Sequence, residues 1–241
     1  MMKIEKLAVG QLQTNCYFLI NQKQECLILD PGDDADFIID KIQEGKLKPL
    51  AMLATHGHFD HVMAAFELQL AFAIPFYLHP KDEFLLDRMS QTAQFFLGNI
   101  QVPPKVQKVN FLQVGKFEIS DFAFEIIHTP GHTPGSVSFY FSSFMSSSNR
   151  HSDLSELSLS GIYKNKIASS HHVETRNDTG VIFVGDVIFA GGGVGRTDFS
   201  YCNAKDLNKS IEKILKLPEK TTIYSGHREE SRVEGEKEYF K

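Results

Sequence analysis

Four potential metal ligands crowd into six residues of this chain, within the run Thr55-His56-Gly57-His58-Phe59-Asp60-His61. Three imidazoles and a carboxylate are the borderline donors that zinc, manganese and iron accept. If the segment is extended, positions 56, 58 and 60 point one way and 61 the other, so one loop can serve two adjacent cations. Three further donors stand elsewhere: His132 between two Pro-Gly pairs, Asp186 after Gly185, and His227 after Ser225-Gly226. Donor chemistry then suggests one site of His56, His58 and His132 and a second of Asp60, His61 and His227. Asp186 and a hydroxide would lie between them, and open positions would remain, as a catalytic rather than a structural zinc requires. Taken singly, Asp186 reads as a cap, His132 as a loop histidine and His227 as a surface one. Their shared placement after apolar runs favours the joint reading.

Such a pair of divalent ions, zinc first with iron or manganese as substitutes, would acidify the bridging water and polarise a carbonyl. Asp60 would ligate and orient the hydroxide, so Asp60 and Asp186 are the expected catalytic residues. A thioester suits this chemistry, because its thiolate is a weak base and departs without a general acid. An amide would need a proton donor that the sequence does not identify.

Positioning these residues calls for strands that end where the motifs begin. Residues 16–20 and 26–30 are apolar runs around a polar turn and predict a hairpin, closed by the turn Asp30-Pro31-Gly32. Residues 50–54 predict a buried strand delivering the histidine cluster, with helical spacing at Phe37, Ile38 and Ile42 before it and over 62–72 after it. A strand at 74–79 and a helix over 81–97 follow, so this half alternates in the α/β manner. After Pro103-Pro104 the pattern turns to strands at 117–119, 122–127 and 136–141, with the His128-to-Ser136 motif between the last two. Residues 181–184 and 221–224 predict two more, and 204–217 a helix carrying Leu207, Ile211, Ile214 and Leu215 on one face.

Between 142 and 180 the chain is serine-rich and aperiodic, which reads as a surface insertion in a single domain over 1–241. Its His151, His171 and His172 read as solvated. A length of 241 residues with 42% hydrophobic content allows a full core, and a net charge of -5 gives no basic footprint for nucleic acid or anionic lipid. Cys16, Cys26 and Cys202 fit no disulfide framework and predict a reducing compartment. With no signal-peptide core in the first ten residues and no long apolar run, the expectation is a soluble, cytoplasmic protein acting on a small molecule, without nucleic acid or membrane.

The motifs THGHFDH at 55–61, HTPGHTPGS at 128–136, GD at 185–186 and GH at 226–227 resemble the metal motifs of the metallo-β-lactamase superfamily. LQTNCY at 12–17, DPG at 30–32, GRTDF at 195–199 and GEK near the end resemble its short glyoxalase II-like hydrolases more closely. The resemblance implies an α/β fold, an αβ/βα four-layer sandwich with a binuclear site at one edge of its two sheets. It also implies the same seven ligands and a thioester substrate of the S-2-hydroxyacylglutathione kind. Two departures stand out. The family's last histidine motif usually reads PGHG, whereas Ser225 and Arg228 flank Gly226-His227 here, and the glycine run Gly191, Gly192 and Gly193 is one residue longer than the family's. Only fourteen residues follow His227, so the glutathione-gripping C-terminal domain of the long enzymes is not implied.

Arg196 is the candidate for recognising a substrate anion, although Asp198 is placed to pair with it. His79 reads as a turn histidine and His128 as one that could orient a ligand. Alternatives are a mononuclear-iron persulfide dioxygenase using His56, His132 and Asp186, a lactone or β-lactam hydrolase, and a metal-stabilised interaction domain recruiting a partner through 142–180.

Overall fold

The computed structural model describes residues 2–142 and 180–241. The stretch 142–180 lies outside the described residues except for its two ends, as do His151, His171 and His172. The first sheet runs in the order β1 (Lys3–Val9), β2 (Thr14–Ile20), β3 (Glu25–Leu29), β4 (Lys48–Leu53), β5 (Phe76–Leu78), β6 (Val109–Phe111). Its outer helices are α1 (Ala35–Glu44), α2 (Phe59–Val62), α3 (Ala65–Phe72) and α4 (Glu83–Leu97). The second sheet contains β7 (Gly115–Ile119), β8 (Phe122–His128), β9 (Val137–Phe141) and β10 (Val181–Gly185). A short ribbon of β11 (Ile188–Phe189) and β12 (Gly193–Val194) and the helix α5 (Ala204–Leu215) precede its last strands, β13 (Thr222–Ser225) and β14 (Ser231–Arg232). The order of that sheet is β14-β13-β10-β9-β8-β7, and α6 (Val233–Glu236) ends the set.

The layers follow from side-chain alternation. In β2 every residue is buried, because both faces of the strand are covered and neither can be polar. Tyr17 and Leu19 face the second sheet, where they meet Phe124, Phe139, Phe183 and Tyr224. Cys16, Phe18 and Ile20 face the helices, with Ile38, Ile42, Leu68 and Met89 among their cluster. The far face of the second sheet, Ile182, Val184 and Ile223, is covered by Leu207, Ile211 and Ile214 of α5 and Val233 of α6. Helix α5 starts where the Asn203 side chain accepts from the backbone N–H groups of Lys205 and Asp206. The result is the αβ/βα four-layer sandwich.

The hairpin expected at 16–30 forms as β2 and β3, with Tyr17 opposite Leu29 and Ile20 opposite Cys26. Strand β1 has no clean alternation and is invisible to periodicity, yet it pairs with all of β2 from Lys3↔Ile20 to Val9↔Thr14. The helix expected over 62–72 is two helices, α2 and α3. No described helix is long and apolar enough to cross a membrane.

Phe183 stacks on Tyr224 at 5.0 Å between centroids and meets Tyr17 edge-on at 5.1 Å, so it ties the two sheets together. Phe183→Ala should lower the unfolding free energy by about 3–5 kcal/mol, measured by urea denaturation. A loss below about 1 kcal/mol would contradict this packing.

Candidate metal centre

Strand β4 ends at Leu53, the chain bends at Thr55 and His56, and His58 is extended with φ and ψ of -66° and 146°. The chain then enters α2. Asp60 and His61 therefore diverge from His56 and His58 because the backbone turns into a helix, not by the strand alternation expected from sequence. Gly57 sits against the α4 entrance, where a Cβ would lie 2.9 Å from the Asp82 carbonyl oxygen.

The structure brings all seven predicted donors together. His56 Nε2 lies 3.1 Å and His132 Nε2 2.9 Å from His58 Nδ1. Asp186 Oδ1 is 3.5 Å from His61 Nε2, while its Oδ2 is 3.6 Å from His132 Nε2 and 3.5 Å from His227 Nε2. Asp60 Oδ2 is 3.6 Å from His61 Nε2 and 3.4 Å from His227 Nε2. Two three-donor groups result, His56-His58-His132 and Asp60-His61-His227, and a third set of His56, His61 and Asp186 joins them.

The outer nitrogens of four of the imidazoles are anchored by neighbouring groups. Arg196 offers only a carbonyl to His132 Nδ1, at 2.9 Å, so that nitrogen donates and Nε2 is left bare. His61 Nδ1 donates to Asp30 Oδ2 at 3.0 Å. Thr55 Oγ1 gives its proton to the same oxygen of Asp30 at 2.8 Å and accepts from His56 Nδ1 at 3.1 Å. His58 Nε2 meets the Tyr201 hydroxyl at 2.8 Å, which leaves its Nδ1 facing inward. Nitrogen lone pairs pointed at one another and at carboxylates repel unless a proton or a cation lies among them. Consistent with this, His61 Nε2 and Asp186 Oδ1 are buried without a hydrogen-bond partner, a state that costs about 1–3 kcal/mol per group when nothing fills it. The donor set fits a pair of divalent ions.

Electrostatics divide the centre in two. Burial and the neighbouring imidazoles push His56 well below the ordinary histidine range and His58 down to about 3, so these two are neutral nitrogen donors. On the other side burial opposes charge, but Asp60, Asp186 and Asp30 outweigh it and raise His61. His227 is only partly buried, and hydrogen bonds to Asp186 and Asp60 raise it to about 9 against the opposing effect of burial. Burial would raise Asp60 and Asp186, yet the facing histidines hold both below the usual carboxylate range.

Sequence reasoning missed the groups that hold the ligands in place. Asp30 read as a turn residue, yet its carboxylate also accepts from the Thr55 N–H at 2.7 Å. Asp82, buried completely, accepts from Gly57 N at 3.0 Å, Gly135 N at 2.6 Å and Thr133 Oγ1 at 2.6 Å, and so ties the two histidine loops together. Burial pushes Asp82 up to about 6 against the pull of those donors. An acidic residue just before an apolar helical run was the available signal. His79 and His128 stack on each other at 4.7 Å, and His128 Nε2 donates to the Pro134 carbonyl, so neither reaches a ligand ring. The three cysteines are free, with Cys202 Sγ donating to the His132 carbonyl at 2.9 Å.

The centre opens into a cleft of about 390 Å³ whose walls include Phe96, Phe189, Phe199, Arg196 and Arg228. Arg196 is gripped by Asp198, with Nε to Oδ1 at 2.7 Å and Nη2 to Oδ2 at 2.6 Å, and rests 4.3 Å above the Phe199 ring.

The family model described as "Metallo-beta-lactamase superfamily" matches residues 9–143. A probable metallo-hydrolase of Bacillus subtilis, YqgX, is 36% identical over 96% of this chain and 93% of its own length. The hydroxyacylglutathione hydrolase GloC of Haemophilus influenzae is 33% identical over 94% of this chain and 91% of its own. Among solved structures, that of TTHA1623 in a di-iron-bound form superposes with a TM-score of 0.73 at 28% identity, covering 96% of each chain.

Asp82→Asn offers an amide where a second acceptor is needed, leaving a buried donor unmatched. The expected outcome is a protein that folds but binds metal about 10–100-fold more weakly, read by competition with a chromophoric chelator. Unchanged affinity would show that the Asp82 bridge does not position the ligands.

Proposed function

The chain belongs to the metallo-β-lactamase superfamily, and from that premise we propose that it is a two-metal hydrolase of acyl thioesters, of the S-2-hydroxyacylglutathione kind or related to it. The observation that carries this reading is the Asp186 carboxylate, one oxygen turned to His61 and the other to His132 and His227. A triad for a single ion would leave Asp60, His61 and His227 without a task. The likeness to GloC supports the choice of thioester.

His56, His58 and His132 would hold one ion and Asp60, His61 and His227 the other, with Asp186 shared. Two divalent ions there, zinc or alternatively iron or manganese, supply a Lewis acid for the carbonyl and a water acidified toward neutrality. Asp60 stays a carboxylate at neutral pH. Its Oδ2 takes the Thr14 hydroxyl at 3.1 Å and faces His227, which leaves Oδ1 to accept a hydrogen bond from the attacking water and orient it. Tyr201, whose hydroxyl burial pushes well above the ordinary tyrosine range, stays neutral and holds His58 by its outer nitrogen. The aromatic walls exclude bulk water and seat the acyl group. A departing thiolate needs no proton, so no acid has to be placed on the leaving side.

The same proposal includes one domain over 1–241 with 142–180 inserted in it, and a small-molecule substrate in the cytoplasm without nucleic acid or membrane. The charge of -5 and three unpaired cysteines support it.

Metal-loaded protein should carry two ions per chain by elemental analysis and hydrolyse a model thioester, with activity lost on chelation and restored by added metal. His58→Ala and Asp186→Asn should each lower kcat/KM at least ~100-fold and reduce bound metal while the fold persists by circular dichroism. One iron per chain with oxygen uptake would replace the hydrolase by the persulfide dioxygenase, and full activity in either variant would refute the site.

A further inference from the structure

We propose that Arg228 is the specificity-determining residue of this cleft, and that it selects substrates bearing a carboxylate away from the scissile bond. The proposal deepens the hydrolase reading and rests on it for the choice of scaffold. Of the two arginines in the cleft wall, Arg196 is already neutralised by the two-point grip of Asp198. The Arg228 guanidinium has no carboxylate partner among the described residues and lies 5.7 Å from the centre of the Phe189 ring. Its acidic neighbours Glu229 and Glu230 meet Lys6 Nζ at 2.8 and 4.0 Å.

The backbone shows that this placement is built. Arg228 has a φ of 69°, in the left-handed region where glycine is favoured and an arginine is strained. Its carbonyl is fixed there by Asn15 Nδ2 at 2.8 Å and Lys6 Nζ at 3.5 Å. Opposite it stands Gly193, where a Cβ would lie 3.1 Å from Arg228 Nη1. The two departures from the superfamily's motifs, an arginine after His227 and a lengthened glycine run, thus touch each other at the mouth of the centre, one supplying a cation and the other making room for it. A planar guanidinium with unused N–H groups matches a carboxylate by two parallel hydrogen bonds. Being the residue after a ligand, Arg228 would meet a substrate whose carbonyl lies at the metals.

The test uses two pairs of thioesters. Each pair holds a carboxylate and its neutral methylamide counterpart, carried on the acyl part in one pair and on the thiol part in the other. Metal-loaded wild type, R228G and R228K are compared. Glycine relieves the backbone strain, so R228G is expected to fold, checked by its thermal midpoint. In one pair the ratio of kcat/KM for the anionic over the neutral member should fall about 10–100-fold in R228G and recover in part in R228K, and the affected pair locates the carboxylate. An unchanged ratio in both pairs, even with both rates lowered, would overturn the proposal and leave Arg228 as a clamp on Phe189. If wild type cleaves neither pair, the thioester reading fails, and the non-cleavable thioether counterparts decide by calorimetry. At least tenfold tighter binding of a carboxylate member to wild type than to R228G, without a matching change for its neutral partner, supports the assignment. Equal binding, or no carboxylate-dependent binding to wild type, sinks it.

Discussion

Everything in this molecule converges on one pair of unsatisfied atoms: Nε2 of His61 and Oδ1 of Asp186 stand 3.5 Å apart, both buried and neither hydrogen-bonded. Folding does not leave such atoms facing one another by default, since each loses its water and gains nothing in return. The surrounding structure forces the arrangement. Asp30 fixes the far nitrogen of His61, while Gly226 lets the last ligand loop close over Asp186, for a Cβ there would fall 2.3 Å from Oδ1. A cation between them would give both atoms the partner that the protein does not supply, which ties the centre to the fold's final approach.

That approach is organised by strands covered on both faces. Because β2, β3 and β10 contribute alternate residues to different cores, a register slip would send aromatic residues into the wrong layer. Strand ends are therefore held in fixed positions, and the segments that follow β4, β8, β10 and β13 carry donors from both sheets to one edge. The parallel pairing of β10 with β13 shows the adjustment, since its register shifts between Phe183 and Gly185 just before Asp186.

The convergence of these seven donors was legible in the sequence because imidazoles and carboxylates seldom share so short a run without a common purpose, and because His132, Asp186 and His227 each follow an apolar strand. The residues that orient them were not. Asp30 works on a histidine 31 positions away and Asp82 on a threonine 51 positions away, and nothing local distinguishes either from a turn or helix-start acid. The Arg196 side chain drew notice as an anion binder, while its backbone carbonyl is what orients His132, a role that residue type cannot reveal. Arg228 stood out only as a departure from a motif until its neighbour across the cleft was known. On the fold side, the α/β alternation of the first half and the later β-rich pattern were readable, whereas β1 owes its place to pairing with β2 and not to any periodicity of its own.

The two sheets supply the centre from opposite sides, Thr55 to His61 from one and His132, Asp186 and His227 from the other. Ligand spacing is thereby slaved to how closely the sheets sit together, and a close-packed interior transmits small displacements instead of absorbing them. The spacing of the donors becomes a gauge of the distant interface: a change in side-chain volume deep between the layers would register at the rim long before the protein came apart.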